Sequence, residues 1–222
     1  MNRLWAISDI HGCFDTFHEL VVNRIKLKKS DNLILLGDYI DRGDKSKEVI
    51  DLIIDLIKTG FAIVPLAGNH ESMLVDSFSD SSMLPLWMMN SGETTLESFK
   101  INNIELIERR YLDFFSSLSY YHCLGKYLFV HAGFNDSAAD PFSDIQGMIW
   151  ECHPKYNNQL LKDHIIIHGH RPKTIDHVKE KISSQSTVIP IDTGCVYGTE
   201  NGYGHLSALE VNSMELISVE KI

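Results

Sequence analysis

The stretch Gly37–Gly43, with the sequence GDYIDRG, follows directly after a short apolar run, Leu33–Leu36. This run is short for a helix, and it is bounded by Asp31 and Asn32 before it and by a glycine after it, which predicts a buried strand. The polar stretch then leaves the carboxyl end of that strand as a loop. Ligands bind at the carboxyl ends of strands in α/β sheets, so this loop is a candidate functional site.

The segments around this loop alternate between strands and helices. Further strands are predicted at Leu4–Ser8 and Phe61–Pro65, where apolar residues form short runs. Helices are predicted at Phe14–Ile25 and Val49–Ile57, where apolar residues recur at helical spacing. Strand–helix–strand–helix–strand order is typical of right-handed crossovers, so we expect a parallel core sheet.

The rest of the chain divides into a helical part and a strand-rich part. Residues 70–117 are predicted to be mostly helical, with breaks near Ser79–Ser82, Pro85 and Gly92. Gly125-Lys126 then predicts a hairpin between Tyr120–Leu124 and Tyr127–His131. Together these patterns predict an α/β fold of two sheets packed face to face with helices outside. The later strands are predicted at Ile165–His168, Val188–Ile191, Leu206–Val211 and Glu215–Val219.

Composition restricts the kind of protein. The chain has 222 residues, of which 44% are hydrophobic and 23% charged, as in ordinary globular proteins, and we expect a single domain over residues 1–222. The net charge of −10 argues against nucleic-acid binding, which depends on Lys and Arg neutralising phosphates. A small phosphate substrate is compatible with this charge if bound metals reverse the sign of the field within the site.

The expected location is cytoplasmic. The N-terminus enters a strand-like run at once, without a charged region followed by an apolar signal segment, and no apolar run reaches the length of a membrane-spanning helix. The four cysteines match no zinc motif, so we expect free thiols in a reducing compartment.

Polar clusters follow several predicted strands, and their residue types indicate metal binding. Asp9 and His11 are two residues apart, so in extended backbone their side chains point to the same side and can hold one ion. Asp38 can bridge two ions through its two oxygens. Imidazole, carboxylate and amide donors together suit manganese, iron or zinc. The donors predicted for a second ion are Asn69, His131 and His170.

A pair of divalent ions roughly 3.5–4 Å apart can activate water and neutralise the charge of a phosphate group. His70 is not needed as a ligand, so it is predicted to act as general acid towards the leaving group. Asp41 can accept a hydrogen bond from the other ring nitrogen and fix its tautomer. Arg42 can bind two phosphate oxygens at once.

These motifs resemble the PPP-type phosphoprotein phosphatases of the calcineurin-like metallophosphoesterase superfamily. The matching segments are Ser8–Gly12, Gly37–Gly43, Gly68–Glu71, His131–Gly133 and Gly169–His170. The resemblance implies the four-layer αββα metallophosphoesterase sandwich and two divalent ions, with Mn²⁺ expected and iron or zinc as alternatives. It also implies the site residues by position: the metal ligands Asp9, His11, Asp38, Asn69, His131 and His170, the acid pair His70 and Asp41, and the phosphate-binding Arg42.

The sequence departs from the family pattern at three positions. Ser8 replaces a glycine, and Arg171 stands where threonine is common, where it could contact substrate. Many members carry a second phosphate-binding arginine shortly after a tryptophan, but Trp150 is followed by Glu151 and Cys152. Arg171, Lys173, Arg109 and Arg110 are the candidates to replace this arginine, and the sequence does not rank them. The oligomeric state also stays open.

Three functions remain open. The resemblance favours hydrolysis of phosphoserine or phosphothreonine in proteins or of small phosphate esters, without a nucleic-acid or membrane partner. A symmetric dinucleoside polyphosphate hydrolase shares nearly all the ligands, although Asp41 and Glu71 lean against it. A binding scaffold without metal is disfavoured because every expected ligand is present. Outside the motifs we expect ordinary roles: Glu71 forms local hydrogen bonds or starts a helix, and His168 lies in the core or supports a ligand. Met83–Met89 is expected to pack in a helix, with a lid over the site as the alternative.

Overall fold

The computed structural model describes residues 2–222 and contains two β-sheets packed against each other. The first sheet has the strand order β3-β2-β1-β8-β9 and the second has the order β4-β5-β6-β7. The strands are β1 (Leu4–Ile7), β2 (Asn32–Leu35), β3 (Ala62–Pro65), β4 (Tyr121–Leu124), β5 (Tyr127–Val130), β6 (Ile165–His168), β7 (Val188–Pro190), β8 (His205–Glu210) and β9 (Glu215–Glu220).

Eight α-helices and several short helical turns connect these strands within residues 2–222. The helices are α1 (Phe14–His18), α2 (Ser46–Lys58), α3 (Asn69–Ser79), α4 (Leu84–Met89), α5 (Gly92–Ser98), α6 (Arg109–Ser116), α7 (Ile145–Trp150) and α8 (Ile175–Ser183). None of these helices is long and apolar enough to cross a membrane.

The predicted α/β fold with two helix-flanked sheets is confirmed. Strands β1, β2 and β3 run parallel, as the alternation of the first third predicts, and β4 with β5 forms the predicted antiparallel hairpin. One predicted helix differs, because Phe14–Ile25 is an α-helix only to His18 and continues as a π-helical segment, Glu19–Arg24. The break predicted near Pro85 is confirmed, because α3 ends at Ser79 and α4 begins at Leu84 with Pro85 in its first turn, where a missing backbone N–H is tolerated.

Alternation along the strands divides the core into layers. Ala6 and Ile34 face the second sheet and pack with Phe129 and Ile167 between the sheets. Their neighbours, such as Trp5 in β1, face the opposite side and pack against the helices. A third cluster covers the outer face of the second sheet. Successive strand residues point to opposite faces, so the short apolar runs serve two cores at once.

Candidate metal centre

The structure brings the six predicted metal ligands together at one edge of the sandwich. Three of the loops that carry them follow β1, β2 and β3 of the first sheet, and two follow β5 and β6 of the second. Both groups of strands are parallel within their sheets, so their carboxyl ends meet at this edge. All six ligands are buried except His170, which is half-buried.

Asp38 lies between two groups of side chains that could each hold an ion. One of its carboxylate oxygens is 3.4 Å from His11 Nε2, and the other is 3.5 Å from His131 Nε2. The first group consists of His11, Asp38 and His70, and the second of Asp38, His131 and His170. A carboxylate with a different imidazole at each oxygen has the arrangement that a ligand shared by two ions requires.

Hydrogen-bond acceptor atoms that face one another indicate that these side chains can hold a cation. His131 Nδ1 donates to the carbonyl oxygen of Leu36 at 2.8 Å, so its Nε2 carries a lone pair. That nitrogen faces the side-chain oxygen of Asn69 at 3.0 Å, and Asn69 is also 3.0 Å from His170 Nδ1. His11 is oriented in the same way, because its Nδ1 donates to the carbonyl oxygen of Ile40 at 2.9 Å. Two acceptors at hydrogen-bond distance, with no hydrogen between them, repel unless a cation joins them.

The electrostatics of the site lead to the same conclusion. Burial, with the nearby carboxylates of Asp9 and Glu71, raises the pKa of Asp38 well above its usual range. Burial also lowers the pKa of His131, and that of His11 well below its usual range. Neutral imidazoles and a carboxylate that lacks a counter-charge are the forms that bind divalent ions.

Asp9 differs from the other ligands in its contacts. Its carboxylate accepts the backbone N–H of His170 at 3.0 and 3.1 Å and the hydroxyl of Ser8. It lies outside the two groups centred on Asp38. The contact joins the loop after β1 to the loop after β6, and the role of Asp9 as a ligand stays a prediction.

The backbone at this edge is held in unusual conformations. His11, Asp38, Asp41, Arg42 and His170 all have φ between 46° and 70°, a left-handed region that non-glycine residues rarely adopt. Such conformations cost about 1–3 kcal/mol each and persist where the surrounding structure holds them, typically at functional sites. Their concentration at the predicted ligands supports a functional role for this edge.

His70 and Asp41 form a buried pair. His70 Nδ1 is 2.7 Å from an oxygen of Asp41, which also accepts from Trp87 Nε1 at 2.8 Å, and Thr95 donates to the other oxygen at 2.6 Å. Burial raises the pKa of Asp41 to about 7 and lowers the pKa of His70 to about 4. His70 Nε2 is buried without a hydrogen-bond partner and lies 4.0 Å from Asp38. The neutral ring carries one proton. When Asp41 is protonated and donates to Nδ1, that proton is on Nε2 and can be donated; when Asp41 is ionised, Nδ1 carries it and Nε2 can bind an ion.

The two arginines predicted to contact substrate lie in different places. Arg42 is exposed beside the candidate metal centre, and its Nη1 donates to His11 Nε2 at 2.8 Å. Arg171 is also exposed, but it lies in the wall of a neighbouring cavity beside Cys152. The ring of Trp150 stands edge-on to His170, with 5.7 Å between the ring centres, so the tryptophan of the family pattern is adjacent to the site.

Sequence reasoning missed Trp87 and Thr95 as parts of the site. We expected Met83–Met89 to be ordinary helix packing, yet Trp87 is fully buried and its indole N–H is directed at Asp41. Nothing in the motifs indicates this contact, since α4 and α5 follow the site in sequence and reach it only by packing. The prediction for Glu71 is confirmed, because it lies in the first turn of α3 and accepts backbone N–H groups.

Comparison with known proteins agrees with this geometry. The sequence model of the calcineurin-like phosphoesterases matches residues 2–200. The chain belongs to the calcineurin-like phosphoesterase family. It is therefore a hydrolase of the metallophosphoesterase type, a family with a dinuclear divalent metal centre.

Individual relatives differ in their substrates. The asymmetrical bis(5′-nucleosyl)-tetraphosphatase PrpE of Anoxybacillus flavithermus is 28% identical over 96% of this chain and 92% of its own length. PrpE of Bacillus subtilis is 26% identical over the same shares. Serine/threonine-protein phosphatase 1 of Salmonella typhimurium is 34% identical, but over 41% of this chain and 40% of its own length.

Solved structures share the fold. A candidate diadenosine tetraphosphatase superposes with a TM-score of 0.70 and 20% identity, covering 100% of this chain and 94% of its own. The cold-active protein-tyrosine phosphatase of a psychrophilic Shewanella superposes with a TM-score of 0.68 and 16% identity, covering 100% and 78%. At these identities the likeness concerns the fold alone.

Proposed function

We propose that this phosphoesterase hydrolyses dinucleoside polyphosphates at the metal centre built around Asp38. The observation that carries phosphoester hydrolysis is the pair of imidazole–carboxylate groups that share Asp38. The substrate class is supported by the PrpE relatives, which match nearly the whole chain, whereas the protein phosphatase relative matches less than half of it. This revises the preference for phosphoproteins that the motifs alone give.

The residues of the site divide the chemical work. Two divalent ions, for which we expect Mn²⁺, would be held by Asp9, His11, Asp38, Asn69, His131 and His170. When bound, they activate water and neutralise phosphate charge. Arg42 stands exposed beside His11 and is the arginine placed to bind phosphate oxygens. His70 donates a proton from Nε2 to the leaving group, while Asp41 holds the ring through Nδ1.

A second candidate is hydrolysis of phosphoserine or phosphothreonine, which the buried His70–Asp41 pair favours. The leaving group there is an alkoxide, which needs protonation far more than a nucleotide phosphate does. The hydrogen bond of His70 to Asp41, supported by Trp87 and Thr95, positions an acid that an alkoxide leaving group needs more than a nucleotide phosphate does.

One competition experiment separates these substrates. The manganese-loaded enzyme receives diadenosine tetraphosphate and a phosphothreonine peptide in one tube, and early time points are quenched with chelator and separated by anion exchange. We expect nucleotide products first: ATP with AMP for asymmetrical cleavage, as in the names of the relatives, or ADP alone for symmetrical cleavage. Orthophosphate from the peptide, with intact dinucleotide, would overturn the proposal in favour of the second candidate.

A further inference from the structure

A cavity of about 360 Å³ lies beside the metal centre, on the outer side of the second sheet. It is bounded by the segment that follows α7, by the end of β6 and by α8. Its walls include Cys152, His153, Arg171, Lys173, His177 and Lys181. The volume lies at the lower end of the range of small-molecule sites.

The cavity adjoins the metal centre through the chain itself. His168 and Arg171 both line it, and they flank the predicted ligand His170 in sequence. Trp150, whose ring is against His170, is two residues before Cys152 in the opposite wall. The cavity therefore lies next to the position that the reacting phosphate of a substrate would occupy at the metals.

Three cations line the wall of the cavity. Arg171, Lys173 and Lys181 converge there in a chain of net charge −10. Among the residues that the structure describes, none of these three cations has a carboxylate within 4.0 Å. Most lysines and arginines elsewhere share this state, so what sets the three apart is their position around one concave space. Lys173 and Lys181 are half-buried. Partly desolvated cations without counter-charges are stabilised by a bound anion.

The other polar groups in the cavity wall do not cancel this charge. His153 is already paired with Glu151, at 3.1 Å between Nε2 and the carboxylate. The charge of Lys173 acts on the pKa of Asp192. That carboxylate is buried and accepts the backbone N–H of Gly194 at 2.8 Å. Three cations therefore face the open volume, beside the apolar wall residues Pro154, Val188 and Pro190.

We propose that this cavity binds phosphates of the substrate's polyphosphate chain other than the one attacked at the metals. Three cations around a small concave space match a compact group with several negative charges, such as a di- or triphosphate, better than a single carboxylate of a peptide. A polyphosphate chain is also covalently continuous with the reacting phosphate. The inference rests on the proposed function, and it assigns Lys173 and Lys181 to substrate selection.

The test compares two substrates in the double variant Lys173→Gln/Lys181→Gln. We expect kcat/KM for diadenosine tetraphosphate, divided by kcat/KM for p-nitrophenyl phosphate, to fall about 10- to 100-fold, since each lost charged contact is worth about tenfold in binding. Lys179→Gln is the matched control, because Lys179 is exposed on the same helix α8 and does not line the cavity. Its ratio should equal that of the wild type, and an equal ratio in the double variant would overturn the inference.

A second readout does not depend on which substrate is natural. Tripolyphosphate and orthophosphate are tested as inhibitors of p-nitrophenyl phosphate hydrolysis by the manganese-loaded enzyme. The double variant should raise the inhibition constant of tripolyphosphate about tenfold or more relative to that of orthophosphate. Failure to cleave diadenosine tetraphosphate would remove the proposed function alone. Equal inhibition ratios in wild type and double variant would remove the cavity as a polyphosphate site.

Discussion

His70 combines two features that rarely occur together in one side chain. Its Nδ1 is tied to a buried carboxylate, while its Nε2 is buried without a partner. A buried polar atom without a partner costs about 1–3 kcal/mol, so its retention indicates a task for Nε2. The sequence places His70 in a motif, but the partnerless nitrogen and the contacts of Trp87 and Thr95 to Asp41 emerge only from packing.

We predict that His70→Asn retains the fold and slows hydrolysis of phosphothreonine peptide or phenyl phosphate by about 10²–10⁴, the usual contribution of a general acid. The loss should shrink for p-nitrophenyl phosphate, because a leaving group of low pKa needs less protonation. Steady-state kinetics across a series of aryl phosphates measure this trend. Equal losses for good and poor leaving groups would remove His70 from the acid role.

Asp38 is the residue on which both candidate ion sites depend. We predict that Asp38→Asn lowers bound manganese below two ions per chain and abolishes hydrolysis, because both groups lose their charged oxygen. Metal content after gel filtration, measured by inductively coupled plasma mass spectrometry, gives the result. A fully loaded and active variant would refute the bridging assignment. Asp113→Asn serves as control, since that carboxylate is exposed and pairs with Arg109 at the surface.

Asp31, remote from the site, allows a prediction about pH. Burial alone would raise its pKa, but hydrogen bonds from Arg3 at 2.5 and 3.2 Å and from the backbone of Lys28 outweigh burial and lower it below its ordinary value of 3.8. A lowered folded-state pKa contributes stability that is present above about pH 4 and is lost as pH falls through the folded value.

We therefore expect Asp31→Asn to reduce the free energy of unfolding at pH 7 by about 1–3 kcal/mol. The difference from wild type should narrow as the pH is lowered below 4. Urea denaturation at a series of pH values measures it. A difference that stays constant down to pH 2 would show that the carboxylate charge contributes nothing.

At the scale of elements, Glu71 joins the first turn of α3 to the loop that carries Asp38. Its carboxylate accepts the backbone N–H groups of Asp38 and Tyr39 at 2.9 and 2.7 Å and that of Gly68 at 3.0 Å. Gly37 has φ of 97°, and a Cβ there would overlap the backbone of Gly68. The two loops are thus packed backbone against backbone with one buried carboxylate between them.

Replacing Glu71 by Ala should cost about 3–5 kcal/mol in stability, because several buried N–H groups lose a charged acceptor. It should also weaken manganese binding, since the loop that presents Asp38 is no longer held. Thermal melts and metal titration provide the two readouts. Glu97→Ala, on an exposed position of α5, controls for loss of a glutamate. Unchanged metal affinity in Glu71→Ala would limit its role to stability.

The sequence predicts most elements because each strand is a short apolar run that ends in a polar motif. The first three strands and the β4–β5 hairpin are clear for this reason. The π-helical continuation of α1 over Glu19–Arg24 is not, since it depends on how that segment packs. The hydrogen bond from Trp87 in α4 to Asp41 also depends on packing, so the sequence does not predict it.

At the scale of the whole molecule, the metal centre exists only because the two sheets are packed together. Asp38 and Asn69 come from the first sheet, and His131 and His170 come from the second. The sequence predicts candidate ligands, but the approach of the sheets through the core of Ala6, Ile34 and Phe129 is a tertiary property that no local pattern contains. Bound ions should therefore stabilise the whole fold.

Removal of metal should lower the melting temperature by roughly 10 °C, since ligand at about 1,000 times its Kd contributes about 4 kcal/mol and each kcal/mol shifts a domain of this size by about 2–4 °C. Differential scanning calorimetry with and without chelator measures the shift. The Asp38→Asn variant should show a smaller shift than the wild type, because it binds fewer than two ions per chain. An equal melting temperature for wild type with and without chelator would mean that the ions do not link the sheets.

The most direct test of the metal centre is a titration of metal-free enzyme with Mn²⁺ in which bound ions and hydrolysis of p-nitrophenyl phosphate are measured in the same samples. The two groups that share Asp38 predict that activity rises with binding and reaches its plateau at about two ions per chain. Full activity in the metal-free enzyme, or a plateau at about one ion per chain, would contradict the dimetal assignment.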